Sequence, residues 1–347
     1  MTKFNSVILF SFFLFGISSC SPRSPEQQHT LLQFDTLINV TLYGVDDALA
    51  KHAFAELDRD FEAYHQGWTP YEDGPMQRIN LLITTGKPFS LAPSVLPLIT
   101  QSIPLAKQTD NLYNPAIGKL IKLWQFHRHD EPDIKPPDPQ QIAALVQARP
   151  QLSNLHLEGI RMVSDNPAVE LNFGAFAKGY AVDASMKYLL SLGIHNAILA
   201  VGGDVKAMGQ HGDRGWRVGI KHPRQDRIMA SIELSGEEAI STSGDYERFF
   251  MYQSKRYHHI LDPRTGYPAK GTQAVTVLHQ SSAIADVAAT ALFVAGPQHW
   301  HDMAKRLQLK YVLFIDENTV IYVTPELLPR LSFNDIDITT IKVTAPL

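Results

Sequence analysis

The stretch 284–295, IADVAATALFVA, carries a single charge, Asp286, and a single hydroxyl, Thr290. Its length and alanine content make it a helix. A helix apolar on nearly every side has no solvent face, so other layers must cover it all round. With 347 residues, 44% of them hydrophobic, the chain has ample material for a core around it. A carboxylate inside such a helix costs several kcal/mol unless it is paired or holds a metal. Asp286 and Thr290, four apart, share a face of hard oxygen donors suited to Mg²⁺. The alternative is that Asp286 only accepts hydrogen bonds from a neighbouring loop.

The elements around this helix place it in an α+β body. TLINVTLYG (36–44) alternates like a half-buried strand, and Asp46 and Asp47 open a helix with Ala50, Ala53, Phe54, Leu57 and Phe61 on its apolar face. HQGWTPYEDGP (65–75) reads as an aromatic loop, and 93–109 as a helix weakened by Pro97 and Pro104. Asp138 and Pro139 start a further helix after a proline-rich loop. AVELNF reads as a short strand and 175–193 as a helix closed by Gly193. Strands are expected at 196–201, 215–223, 227–234, 256–261 and 274–279, with a closing hairpin near the C-terminus. Adjacent strand runs with helices between them imply a mixed, largely antiparallel sheet packed with helices.

Net charge is −4, which supplies no basic field for nucleic acid. Neither GxGxxG nor GxxxxGKS occurs. Residues 7–17, VILFSFFLFGI, follow Lys3 and are too short to span a bilayer, which takes about 20 residues. They fit a signal peptide over 1–19. Cys20, the single cysteine, follows ISS as at a bacterial lipoprotein cleavage site; an ordinary secretory signal is the alternative. Residues 20–34 then read as a flexible tether for a domain spanning 35–347.

Three more segments can carry chemistry. RYHHILDPRTGYP (256–268) sets two histidines side by side before a turn. On a strand, Tyr257, His259 and Leu261 share one face while His258 and Ile260 take the other, so the pair cannot chelate one ion. In ISTSGDYERFF (240–250), Ser243 and Gly244 either let backbone N–H groups approach an anion or simply make a turn. Lys178, in FGAFAKGYA, lies at a helix start where phosphates bind, or is merely solvated.

Taken in order, NFGAFAKGYAVD, VGGDVKAMG, GWRVGIKHP, STSGDYERFF, YHHILDPRTGYP and ADVAATALFVAGP resemble the signature segments of the ApbE family. These are bacterial FAD:protein FMN transferases, many of them lipoproteins. The resemblance implies an ApbE-like fold and transfer of the FMN moiety of FAD to a Thr or Ser hydroxyl of a partner protein, with release of AMP. It implies Mg²⁺ held by the carbonyls of Ala175 and Ala289 with Asp286 and Thr290. It puts Lys178, Ile260, Asn172, Tyr113, Asn114, Ser243 and Gly244 against FAD, and His259 with Asp262 at the catalytic centre. Tyr71 or Trp68 is expected to stack on a ring of FAD. The family's usual Phe-Asp is Tyr113-Asn114 here, its aspartate before the glycine-rich turn is Asn172, and its Met-Gly-Thr is FDT (34–36). The implied acceptors are subunits of a sodium-pumping quinone reductase or an RNF-type complex. The implied setting is periplasmic or extracytoplasmic, with the lipid in the membrane. FAD hydrolysis to FMN and AMP, or flavin binding without catalysis, are the alternatives.

Overall fold

Nine strands cross the large sheet in the order in which the chain makes them, in a computed structural model that describes residues 26–126 and 133–347. They are β1 (Glu26–Gln33), β2 (Thr36–Tyr43), β3 (Ala197–Val201), β4 (Asp204–Met208), β5 (Glu238–Gly244), β6 (Thr272–His279), β7 (Tyr311–Asp316), β8 (Ile321–Val323) and β9 (Lys342–Val343). Every neighbouring pair is antiparallel except β8 with β9. The sheet is thus an antiparallel meander with helices and smaller sheets inserted between its strands, the α+β architecture expected.

Both faces of this meander are covered, which is why β6 is buried along almost its whole length. Val275 and Val277 pack into the helical layer, while Ala274 and Leu278 meet a second core. That second core lies under a three-stranded sheet made of Trp216–Lys221, Ile228–Leu234 and Leu331–Phe333. The helical layer holds α1 (Asp47–Trp68), α2 (Pro75–Ile83), α3 (Leu96–Gln108), α6 (Ala177–Ser191), α7 (Ser282–Ala295) and α8 (Trp300–Arg306). Two shorter helices, α4 (Gly118–Trp124) and α5 (Pro139–Gln147), enclose a third cluster with Phe250 and Leu261.

α7 is the apolar helix of the sequence, and it lies against β5, β6, α6 and α8. Gly179 makes the α6–α7 crossing possible: a Cβ there would come within 2.6 Å of the Ser282 carbonyl. Asp183 of α6 accepts the Ser282 and Ala283 amides, so the α7 N-terminus is satisfied by a side chain from its neighbour.

Several expectations need correction. The tether does not extend to residue 34, because Glu26–Gln33 is β1, paired along its full length with β2. Phe34 and Asp35, both at positive φ, make the tight turn between them. α1 runs through Trp68, so the aromatic loop begins only at Thr69. AVELNF is not a strand; within it only Glu170 makes a bridge, to Ile117. Pro104 is accommodated inside α3. The histidine strand ends at His258, in a two-stranded ribbon with Phe249–Tyr252. The apolar run 7–17 and Cys20 lie outside the described residues.

Candidate functional site

One end of the meander gathers the polar groups that the core excludes. The β3–β4 turn brings Gly202 at φ +58 and then Gly203, whose Cβ would sit 2.8 Å from the Thr242 carbonyl. This close approach seats Asp204, 3% exposed, at the head of β4. Lys178, in the first turn of α6, reaches into the same space. Its Nζ donates to the Gly174 carbonyl at 3.0 Å, lies 3.3 Å from Asp204 Oδ2 and is 3.7 Å from Asp286 Oδ2.

Asp286 is buried, and its Oδ2 has no hydrogen-bond partner. Burial, with the Asp204 carboxylate adding to it, raises the Asp286 carboxyl to about 7, against the pull of Lys178 and the Gly179 amide. Asp286, Ala289 and Thr290 follow the i, i+3, i+4 spacing of one helix face. The Thr290 hydroxyl is 3.2 Å from Ser243 Oγ on β5. Ala175 lies in the turn just before α6, next to Lys178.

His259 follows the ribbon strand directly. Its backbone N–H donates to the Arg248 carbonyl at 3.0 Å, and its ring Nδ1 lies 3.2 Å from the same oxygen. A carbonyl can only accept, so Nδ1 carries the proton and Nε2 presents a lone pair. Burial, followed by the charges of Arg248, His258 and Lys178, holds the ring well below the usual imidazole range. The two histidines do face opposite ways. His258 is buried against Phe293, with Nε2 donating to the Ala269 carbonyl at 2.9 Å. Tyr257 and Leu261 join the third cluster, while Ile260 enters the main core.

Asn172 and Tyr71 also meet. Asn172 Nδ2 donates to the Tyr71 hydroxyl at 3.0 Å while its Oδ1 accepts the Gly174 amide. Asn172 thus holds the turn that carries Lys178 to an aromatic side chain 39% exposed. Arg248, exposed on the chain before the ribbon, acts on Tyr71, Lys178 and His259 through its charge.

The other expected site residues are held by contacts of their own. Tyr113 is buried in the core, its hydroxyl 2.8 Å from Ser102 Oγ. Asn114 braces a turn, donating to the Pro150 carbonyl and accepting the Ala116 amide. Trp68 is stacked between Phe34 and Tyr64 and donates to the Ser94 carbonyl, so it offers no face to a ligand. Asp262 is bound to the Arg264 guanidinium and amide, contacts that shape the turn after the histidines. Gly244 is required by its neighbour, since a Cβ would fall 2.5 Å from the Tyr246 ring. The side chain of Ile260 is in the core and its carbonyl accepts the Ala269 amide. Asp204 and Arg248 are the site residues that sequence reasoning missed. Both lie in quoted segments, VGGDVKAMG and STSGDYERFF, and the only available signal was the glycine pair that would seat whatever follows it.

A neutral histidine with an open Nε2, a half-buried lysine and a buried carboxylate oxygen without a hydrogen-bond partner are, in an α+β body, suited to proton transfer beside an anionic group. The model of the ApbE family matches residues 34–313. The FAD:protein FMN transferase of Rhodobacter capsulatus is 36% identical over 316 residues, which are 91% of this chain and 60% of that protein. The chain therefore spans three fifths of that longer relative. The FAD:protein FMN transferase of Vibrio cholerae is 32% identical over 295 residues, 83% of this chain and 87% of the relative. Among solved structures, the ApbE protein of Thermotoga maritima superposes with a TM-score of 0.81 at 26% identity, covering 88% of this chain and 99% of that one. The flavin transferase ApbE of Vibrio cholerae gives 0.77 at 29% identity, with the same coverage. The chain belongs to the ApbE family.

Proposed function

We propose that this protein transfers the FMN moiety of FAD to a threonine or serine hydroxyl of a partner protein and releases AMP. As an ApbE family member the chain is a flavin transferase. The observation that carries the chemistry is the His259 ring. Its Nδ1–H donates a hydrogen bond to the Arg248 carbonyl and leaves Nε2 as the acceptor, beside the lysine–carboxylate cluster.

In the step itself, the acceptor hydroxyl gives its proton to His259 Nε2. The hydroxyl oxygen forms a bond to the FMN-side phosphorus of the pyrophosphate. The bond from that phosphorus to the bridging oxygen breaks, and its electron pair leaves with AMP. A neutral imidazole is the form that can take the proton, and burial beside two cations keeps the ring neutral at pH 7. Lys178 supplies fixed positive charge for the pyrophosphate, and Arg248 adds more at the rim. Tyr71, held by Asn172, is the aromatic side chain we favour as neighbour of the isoalloxazine or the adenine.

The donor set fits a hard divalent cation. Asp286 Oδ2 is buried without a hydrogen-bond partner, and the Thr290 hydroxyl lies on the same helix face. Among the described residues no group of three or more His, Cys, Asp or Glu side chains converges, so the remaining ligands would be backbone oxygens, water and substrate phosphate. Asp286 and Thr290, with the carbonyls of Ala175 and Ala289, would hold Mg²⁺, which would neutralise pyrophosphate charge as the anhydride breaks.

The same reading places the protein outside the cytoplasm, tethered by lipid on Cys20. Five residues separate Cys20 from Glu26, a reach of about 20 Å at most. The body would then lie close to the membrane, where flavin-bearing subunits of a sodium-pumping quinone reductase or an RNF-type complex are the acceptors we favour. Following AMP release from FAD with and without an acceptor domain tests the reading. Acceptor-dependent, Mg²⁺-dependent AMP supports transfer, whereas equal AMP in both arms, with free FMN, shows that water is the acceptor.

A further inference from the structure

Lys178 is one cation between two buried carboxylates. Asp204 is 3% exposed and Asp286 6%. The lysine is nearer Asp204, at 3.3 Å, and its donated hydrogen bond goes to the Gly174 carbonyl at 3.0 Å. At 3.7 Å it stops short of hydrogen-bond distance from Asp286, whose Oδ2 is left with no donor. The chain goes to some length to arrange this. Gly202 takes a left-handed conformation and Gly203 packs on the Thr242 carbonyl, which puts Asp204 at the head of β4. The strand is then locked by pairing of Asp204 with Val201 on one side and Ser241 on the other.

We propose that Asp204 is a positioning residue that draws Lys178 off Asp286, so that the Asp286 carboxylate is open to a divalent cation. An ammonium and a metal ion compete for the same oxygen. Without a second anion, Lys178 would close onto the only carboxylate left and occupy the metal's ligand. With Asp204 present, the lysine keeps its charge near the pyrophosphate and the metal keeps its oxygen. The two carboxylates therefore do different work: one anchors the lysine and the other remains a ligand. This inference rests on the reading of Asp286 as a metal ligand.

Titrating Mg²⁺ alone into the purified protein by calorimetry tests it, using Asp204→Asn, Lys178→Met, the double variant and Asp286→Asn. Asp204→Asn should weaken Mg²⁺ binding by about tenfold or more, within the range of coupling seen for residues sharing one ion-pair network. Lys178→Met should bind Mg²⁺ at least as tightly as the wild type. The double variant should recover most of the loss, because removing the lysine removes the competitor. A purely structural role for Asp204 would show no such recovery. The proposal is overturned if Asp204→Asn binds like the wild type, or if the double variant stays as weak as the single one. Should Asp204→Asn fail to fold, Lys178→Met decides, since weakened binding there contradicts competition. Loss of binding in Asp286→Asn beside an unaffected Asp204→Asn would remove this proposal and leave the metal reading standing. A wild type that takes up no Mg²⁺ would remove both.

Discussion

Replacing Asp286 with asparagine should make the metal-free protein more stable, and increasingly so as pH rises. The folded carboxyl titrates at about 7 in place of its ordinary 3.8, because burial and the Asp204 charge oppose ionisation. The folded state thus binds more protons than the unfolded chain between those values, so the wild type loses stability as pH climbs through that window. At 1.36 kcal/mol per pH unit the full cost is about 4 kcal/mol by pH 8, and about 2 kcal/mol by pH 5. Asparagine mimics the protonated acid, leaves Lys178 paired with Asp204, and pays neither amount. Thermal unfolding in chelator should show Asp286→Asn melting several degrees above the wild type at pH 8, at roughly 2–4 °C per kcal/mol, with a smaller gap at pH 5. Adding Mg²⁺ at pH 8 should raise the wild-type midpoint through ligand linkage and leave the variant where it was. If the variant melts at or below the wild type in chelator and the gap does not change with pH, Asp286 is a satisfied structural acceptor and the reasoning fails.

Three further outcomes are expected. His259→Ala should lower transfer by about 10²- to 10⁴-fold while FAD binding persists; His258→Ala should spare the chemical step and instead cost about 1–3 kcal/mol of stability, because it empties a packed site against Phe293. Since His259 titrates below 6.5, the transfer rate should hold steady down to that pH and fall only as the ring gains a proton at lower pH; by the same sign, its contribution to stability is present above 6.5 and is lost on acidification, as stopped-flow AMP release and unfolding at matched pH will show. Cys20→Ala should move the protein from the membrane fraction to the soluble extract with activity intact, and retention in the membrane would mean that residues 7–17 act as an anchor.

The meander and α7 were legible because their patterns leave little freedom. Asp286 and Thr290 stand out in an otherwise apolar helix, and strands buried on both faces read as continuous apolar runs. β1 was hidden because an edge strand needs only one half-buried face, and EQQHTLLQ shows that face as Gln27, His29, Leu31 and Gln33. Its turn uses Phe34 and Asp35 at positive φ instead of the glycine that marks most such hairpins. Asp204 was missed for a different reason. Its partner is 26 positions away in sequence, and only the packing of Gly203 on Thr242 brings them together. Tyr113 and Trp68 have the chemistry of ring-stacking residues, but neighbouring elements bury both. Asp262 has the chemistry of a catalytic acid, and Arg264 two residues on claims it.

The central claim is that His259 and the Asp286 cluster move an FMN moiety onto another protein. Intact mass spectrometry of a threonine-bearing acceptor domain, incubated with FAD, Mg²⁺ and this protein, measures it directly. The acceptor should gain the mass of one FMN less one water with the wild type, and should stay unmodified when His259→Ala or Asp286→Asn replaces it. An acceptor of unchanged mass while FAD is split to FMN and AMP, or one labelled equally well by the His259→Ala variant, would contradict the account.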